Sequence, residues 1–216
     1  MIKQYFRIAI RNLVKQKGLA TINILGLSIG IACFSLFLLY AVNEFNFDRF
    51  HTKADNIYRV YRWSEAIAGD PPAGDTYMPM PLGPTLKKDF PDVEDYCRMQ
   101  DSWQDYFVKV NDQVMRMPVS FADPSFFTMF SFELVKGNAA NVLKDQRSLV
   151  LTESLANKLF GNTDPVGKTI NIKIQEEFEP FTITGIAKDQ PANSTITFSS
   201  LGNYSYLLTT KSGKRA

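Results

Sequence analysis

The longest apolar run in the chain is residues 18–43, which hold 26 residues without a charged side chain. As a helix this run would reach about 39 Å at about 1.5 Å per residue, and the hydrocarbon core of a bilayer is about 30 Å thick. Backbone groups in hydrocarbon must bond to one another, which favours a single helix. The pattern predicts one transmembrane helix over 18–43. A cleaved signal sequence is the alternative, but the run is too long and residues 38–42 lack a good cleavage site.

Residues 1–17 follow a different, helical periodicity that predicts an interfacial amphipathic helix. One face holds apolar side chains and another holds basic ones: Ile2, Tyr5, Phe6, Ala9 and Leu13 against Lys3, Arg7, Arg11 and Lys15. A plain basic flank that only sets topology is the alternative. With Lys17, five basic residues and no acid precede the apolar run. This places the N-terminus in the cytoplasm and residues after 44 outside it, with anionic lipid, not nucleic acid, as the partner of the basic cluster.

Residues 44–216 predict an exported α+β domain. A mixed α/β part is expected over 44–100 and a β-rich part over 101–200, followed by a tail over 201–216. Period-two alternation and turn residues predict the strands, and caps and periodicity predict the helices. The predicted strands are 57–63, 93–99, a hairpin of 106–110 and 113–119, 148–151, 169–174, 181–186 and 195–198. The predicted helices are 82–90, a short turn after Asp123 that places Phe126, Phe127 and Phe130 in a core, and 153–160 capped by Thr152.

The residue inventory argues against enzymatic chemistry. His51 is the one histidine, and Cys33 and Cys97 are the two cysteines; we expect no disulfide between them and no metal site. His51 is expected to be a surface or packing residue near the membrane. No nucleophile and base are paired in a known motif, so no catalytic residue and no cofactor are predicted.

Residues 161–169, GNTDPVGKT, superficially resemble a phosphate-binding loop. That loop needs four residues between its glycines and runs from a strand to a helix, whereas five separate Gly161 from Gly167 and the predicted order is reversed. Pro165 also removes an amide donor. We interpret the stretch as a helix C-cap at Gly161 followed by a turn.

Within the apolar run, Asn23, Gly26 and Gly30 share a helix face. Small residues four apart let a second helix approach closely, and an asparagine can hydrogen-bond across such a contact. The three residues are the helix-packing candidates of this chain. Their partner helices are expected to come from elsewhere, since the chain holds one apolar run of that length.

Several motifs resemble those of one family, the MacB/FtsX-type ABC transporter permeases, and occur in the same order along the chain. They are most similar to the motifs of Bacteroidota permeases. The resemblance covers nearly all of residues 1–200. Its segments are RIAIRNLVKQKGLATINILGLSIGIA, FDRFHTKADNIYRV, PLGPTLKKDFPDVE, FADPSFFTMFSFELVKGN, SLVLTESLANKLFGNTDPVGKTI and ITGIAKDQPANSTITF.

This resemblance implies a periplasmic core domain between the first two of four membrane helices in the bacterial inner membrane. It implies a cytoplasmic ATP-hydrolysing nucleotide-binding protein, separate or fused, and expected here as a separate subunit. It also implies a second permease copy and in some systems a periplasmic adaptor or outer-membrane partner. Movements of the periplasmic domain and of the membrane helices would couple ATP hydrolysis to export or extraction of a drug, peptide or lipoprotein by mechanotransmission. Because the resemblance fades after residue 206 and three helices are missing, the chain is expected to be an N-terminal fragment, with 57–63 and 93–99 leaving an unpaired edge.

Two other functional classes stay open at this point. A single-pass sensor or binding module would use the exported domain for a ligand, although 17 residues before the membrane leave little room for an output domain. A membrane-tethered hydrolase would need a nucleophile and base that the motifs do not supply.

Overall fold

The computed structural model describes residues 2–64, 73–102, 105–110, 113–174 and 176–209. The chain divides into two compact units, Met1–Phe47 and Asp48–Ala216, and each is described by itself.

The first unit is two helices, as predicted. Helix α1 spans Ile2–Lys15 and helix α2 spans Lys17–Phe45. Gln16 separates them with a non-helical φ of −109° and ψ of 56°. Helix α2 is 29 residues long and, by length and composition, is able to cross a membrane. None of its residues is buried, so its apolar surface is open to lipid or to other helices.

The second unit is built on a mixed sheet that, in the described residues, has nine strands in the order β3-β6-β11-β8-β10-β9-β4-β5, with β7 paired to the end of β10. The pairs β8–β10 and β6–β11 are parallel and the other pairs are antiparallel. The strands are β3 Met99–Gln100, β4 Asp105–Val110, β5 Gln113–Pro118, β6 Ser120–Ala122, β7 Leu134–Lys136, β8 Ser148–Thr152, β9 Thr169–Lys173, β10 Phe178–Ala187 and β11 Ser200–Asn203.

Outside that sheet lie a two-stranded ribbon and the helices. The ribbon pairs β1, Arg62–Ser64, with β2, Ala73–Asp75. The helices are α3 Leu82–Asp89, α4 Phe126–Met129, α5 Glu153–Phe160 and α6 Ser205–Thr209, with a single 3₁₀ turn at Ala54–Asn56.

The central sheet is covered on both faces. Alternate residues of a strand point to opposite faces, and in β8 Leu149 and Leu151 join one buried cluster while Val150 joins another. The first cluster includes Phe121, Ile183 and Tyr206. The second cluster is rich in phenylalanine: Phe126, Phe127, Phe132 and Phe198. A strand buried on both faces needs a continuous apolar run, which SLVLT in β8 provides.

Local signals in the sequence located most helices and the hairpin correctly. The predicted helix at 82–90 is α3, which ends at Asp89 with Phe90 as its C-cap, before Pro91. Thr152 caps α5 by accepting a hydrogen bond from the Leu155 amide at 3.4 Å, and Gly161 ends it with a φ of 58°. Strands β4 and β5 form the predicted hairpin, whose turn at 111–112 lies outside the described residues.

Three strand predictions are wrong in extent or place. Of 57–63, the structure has a strand at Arg62–Ser64 alone, and of 93–99 it has Met99–Gln100. Met99–Gln100 is an edge strand, paired to β6 on one side. Alternation identifies a side chain's face but does not supply the neighbouring strand that a ladder needs.

The predicted last strand at 195–198 is also wrong, because side chains, and not a neighbouring strand, bind its backbone groups. The Thr195 amide donates to the Asp48 carboxylate at 2.8 Å, and the Ser194 hydroxyl donates to the Ile196 carbonyl at 2.8 Å. The last strand is β11, Ser200–Asn203, which lies between β6 and β8. Residues 201–209 of the predicted tail are therefore folded, and Leu201 is fully buried.

Candidate functional site

Helix α2 carries the three helix-packing candidates as a continuous stripe, and their packing role stays a prediction. Asn23, Gly26 and Gly30 follow one another at three- and four-residue spacing in an unbroken helix and are exposed. A side-chain carbon at Gly26 or Gly30 would meet no atom within 4 Å. The structure thus groups the three residues on one face, and the described residues place no second helix against it.

The second unit begins with residues 48–53, here called the junction segment, and Asn46 and Phe47 separate this segment from helix α2 in the chain. Two distant parts of the unit hold this segment. Asp48 has a φ of 56°, and its amide donates to the Asn193 carbonyl at 3.0 Å while its carboxylate accepts from the Thr195 amide at 2.8 Å. Asparagine and aspartate tolerate this left-handed backbone better than most residues.

The second attachment of the junction segment is to the end of α4 and the loop that follows it. The Thr52 amide donates to the Ser131 hydroxyl oxygen at 2.9 Å, and the Lys53 ammonium reaches the Thr128 carbonyl at 3.4 Å. Phe50 packs on the second cluster, with its ring 5.6 Å from that of Phe132. The junction segment is thereby fixed to residues 128–132 as well as to residues 193–195.

His51 lies at the centre of this second attachment and is 6% exposed. Its ring is surrounded by Phe50, Phe130 and Phe132, with centroid separations of 4.1, 5.4 and 5.1 Å. Its Nδ1 accepts a hydrogen bond from the Ser131 amide at 3.2 Å, while Nε2 is buried without a hydrogen-bond partner. Of the two expectations for this residue, the structure shows packing.

The surroundings of His51 favour a neutral imidazole. Burial lowers its pKa below 6.5, and the negative charge of Asp48 opposes that effect in part. Because Nδ1 accepts the Ser131 amide, the neutral tautomer carries its hydrogen on Nε2.

A second polar site, which the sequence pattern did not identify, joins Arg98 to Asp123. The guanidinium donates to both carboxylate oxygens at 2.8 Å and to the Met80 carbonyl at 2.8 Å. Its carbon lies 4.5 Å from the centre of the Tyr204 ring, a cation–π distance. The hydrogen bond to Asp123 is the main reason why the pKa of Arg98 is raised. This pair connects the loop before α3, the end of β6 and the start of α6.

Buried Asn203 anchors the end of the chain in a similar way. Its amide nitrogen donates to the Leu143 carbonyl at 2.7 Å, and its oxygen accepts from the Ser205 amide and hydroxyl at 2.7 Å. Arg98, Asp123 and Asn203 belong to no recognisable sequence motif, so only their spatial partners reveal their importance.

These polar sites do not form a reactive centre. Among the described residues, no three His, Cys, Asp or Glu side chains converge as metal ligands. Cys97 is half-buried, and the desolvation of its thiol raises its pKa to about 12 and keeps it protonated. The amides of Gly167 and Lys168, in the stretch that resembles a phosphate loop, donate to the Ile183 and Pro165 carbonyls, so they are not available to a phosphate.

Comparison with known proteins identifies the relatives of this chain. A family model described as the MacB-like periplasmic core domain matches residues 20–215. A domain of a putative permease from Porphyromonas gingivalis has a TM-score of 0.50 and 26% sequence identity, covering 58% of this chain and 57% of that one. No curated protein matches the chain significantly.

Two further solved structures are more distant. The periplasmic region of MacB from Actinobacillus actinomycetemcomitans has 20% identity and a TM-score of 0.43, covering 61% of this chain and 57% of its own. The extracellular domain of the noncanonic ABC-type transporter YknZ from Gram-positive bacteria has 16% identity and a TM-score of 0.39, covering 53% and 57%.

The chain therefore spans 57% of the length of each of these solved domains. The family match covers most of the chain, including the strand β11 and the helix α6 that sequence analysis assigned to a tail. With its apolar helix near the N-terminus and its exported mixed domain, the chain belongs to the MacB-like periplasmic core domain family of ABC transporter permeases, as a membrane-anchored protein.

Proposed function

We propose that this chain is the N-terminal part of an ABC export permease, whose exported domain couples ATP hydrolysis in the cytoplasm to export or extraction of a substrate. The observation that carries the proposal is the family match over residues 20–215 together with helix α2. An anchor alone needs no packing surface, whereas α2 offers the open stripe of Asn23, Gly26 and Gly30. That stripe fits the other membrane helices of a permease.

Mechanotransmission requires that a displacement of a membrane helix is passed on to the exported domain and is not absorbed by a flexible linker. The junction segment supports this proposal, because hydrogen bonds of Asp48 and Thr52 fasten it to the rest of the second unit. A flexible tether would lack such bonds. The proposed path runs from α2 through residues 48–53 into the second cluster and the sheet.

The proposed setting is the bacterial inner membrane, with the N-terminus and α1 on the cytoplasmic side. The five basic residues before Gly18 support this orientation and would contact anionic lipid. The proposed partners are a nucleotide-binding subunit that hydrolyses ATP, a second permease copy, and a periplasmic adaptor or outer-membrane partner. The proposed substrate is a drug, peptide or lipoprotein.

The exposed aromatic side chains of residues 57–63 are evidence for a larger assembled domain. Tyr58 is 82% exposed and Trp63 is 62% exposed, although their pattern is that of a half-buried strand. Proteins seldom leave such a surface uncovered. We propose that the remainder of the permease covers it, which agrees with the 57% coverage of the Porphyromonas gingivalis domain.

The test is purification of the full reading frame from detergent-solubilised membranes, followed by an ATPase assay. We expect a nucleotide-binding subunit to co-purify and its ATPase activity to fall when the exported domain is deleted. Gly26→Leu should weaken assembly because it blocks the stripe on α2, and Leu25→Ile is the matched control on the same helix. Purification without an ATPase, together with a small molecule bound by the exported domain, would favour the sensor or binding module instead.

A further inference from the structure

We propose that His51 is a proton-sensitive latch, a positioning residue that holds the junction segment on the exported domain when neutral and releases it when protonated. The regulatory meaning of this latch rests on the proposed permease function, since only there would the junction segment transmit movement. The latch itself is a property of this chain and is testable without any partner.

The first support is the hydrogen-bond geometry of the imidazole. Nδ1 accepts from the Ser131 amide at 3.2 Å, and only a nitrogen without a hydrogen can accept. Protonation places a hydrogen on Nδ1, directed at the hydrogen of the Ser131 amide. This bond, one of those that join the junction segment to residues 128–131, would then become a repulsion between two donors.

The second support is the lack of compensation for a positive charge at this position. The imidazolium would have two N–H donors, yet the buried Nε2 has no hydrogen-bond partner. The rings of Phe50, Phe130 and Phe132 meet the imidazole in tilted or edge-on arrangements. A buried cation without hydrogen-bond acceptors is costly, so release of the ring to water is the favourable response.

The charged groups around the ring are few. On its own segment, Asp48 favours protonation, while the Lys53 ammonium is directed to the Thr128 carbonyl. The two stretches packed against the segment, 126–132 and 193–198, contain no ionisable side chain. Asp48 is therefore the one described acid that attracts a proton to this site, and its carboxylate is already bonded to the Thr195 amide.

The direction of the pH effect follows from linkage. In the closed state the junction segment lies on the domain, as in the structure, and in the open state it is released. The pKa of His51 in the closed state is lowered relative to 6.5, so the open state binds a proton first as the pH falls. The latch is thus fully closed above about pH 6.5, weakens below it, and reaches its limit below the lowered pKa. The open population should rise about tenfold for each pH unit that separates the two pKa values.

Hydrogen-exchange mass spectrometry of the complete chain in detergent micelles tests the latch. After correction for intrinsic exchange, we expect amide protection in residues 48–56 to fall between pH 7.5 and pH 5.0, while protection in β8 stays constant. In parallel, NMR of the chain labelled at histidine follows the imidazole directly, because His51 is the one histidine. It should titrate below pH 6.5.

Two variants separate a latch from a purely structural residue. His51→Asn keeps an oxygen acceptor near the Nδ1 position and cannot titrate, so its residues 48–56 should stay protected at both pH values. His51→Phe removes the acceptor and should expose these residues equally at both. Unchanged protection of β8 in each variant confirms that the domain is folded.

The latch is refuted if His51 titrates at an unshifted pKa, if wild-type protection of residues 48–56 does not change with pH, or if His51→Asn retains the wild-type change. None of these results bears on capture of a nucleotide-binding subunit, which tests the permease proposal. Conversely, a failure of that capture would leave the pH response of residues 48–56 in place.

Discussion

Two stretches that are both rich in aromatic side chains have opposite environments in this protein. Residues 57–63, IYRVYRW, and residues 126–132, FFTMFSF, each hold three or more aromatic side chains. In the first stretch Tyr58 is 82% exposed, whereas in the second Phe126 is fully buried and Phe127 nearly so. We call residues 57–64 and 73–75 the exposed arm, and compare it with the second cluster.

The difference lies in long-range partners. The second stretch is closed over by Phe198, whose ring lies 5.6 Å from Phe126 and from Phe132, and by Val150 of the central strand β8. Among the described residues, strand β1 of the exposed arm pairs with β2 alone. Aromatic content therefore measures how much surface a segment is able to bury, and the presence of a partner decides whether it does so.

The largest effect is expected from truncation within the second cluster. Phe126→Ala should lower the free energy of unfolding by about 3–5 kcal/mol, through lost burial and a cavity. The matched change in the exposed arm, Tyr58→Ala, should cost no more than about 0.5 kcal/mol. Urea unfolding of the complete chain in micelles, followed by near-ultraviolet circular dichroism, measures both. Equal losses would mean that the exposed arm is packed in solution and would break the comparison.

Breaking an ion pair should also cost more stability in the folded domain than in the exposed arm, with a smaller difference than for the aromatic residues. Arg98→Ala leaves Asp123 buried and unpaired, which should cost about 3 kcal/mol, since their side chains are 18% and 7% exposed. The matched pair Arg62–Asp75 in the exposed arm is also close, at 3.0 Å, but Arg62 is 67% exposed. Arg62→Ala should therefore cost at most about 1 kcal/mol. A large loss for Arg62→Ala in the same unfolding assay would contradict this assignment.

Glycine substitutions should give the smallest difference in stability between the domain and the exposed arm. A Cβ at Gly202 in β11 would lie 2.8 Å from the Phe121 ring, so Gly202→Ala should cost about 1–3 kcal/mol by overpacking. A Cβ at Gly74 would lie 3.6 Å from the Tyr61 ring, an ordinary contact. Gly74→Ala should be neutral or slightly stabilising. Differential scanning calorimetry of the two variants checks the order, and a less stable Gly74→Ala would contradict it.

Local signals in the sequence predict much of the architecture without any knowledge of tertiary contacts. The uncharged run of residues 18–43 determined helix α2, because length and composition alone decide whether a helix is able to span hydrocarbon. Thr152 and Gly161 defined helix α5 from its two ends, since capping involves neighbouring residues only. The stripe of Asn23, Gly26 and Gly30 was likewise readable from helical spacing, and its role remains a prediction.

Only the tertiary structure decided which strand-like segments pair and which polar residues matter. Strand β11 is central because β6 and β8 lie on its two sides, whereas the backbone groups of residues 195–198 bind side chains and not a neighbouring strand. The junction segment could not be recognised from its sequence, because its bonds reach residues 128–132 and 193–195, about 80 and 145 positions away along the chain. Periodicity is a local property of the chain, but pairing, burial and the environment of His51 depend on residues that only folding brings together.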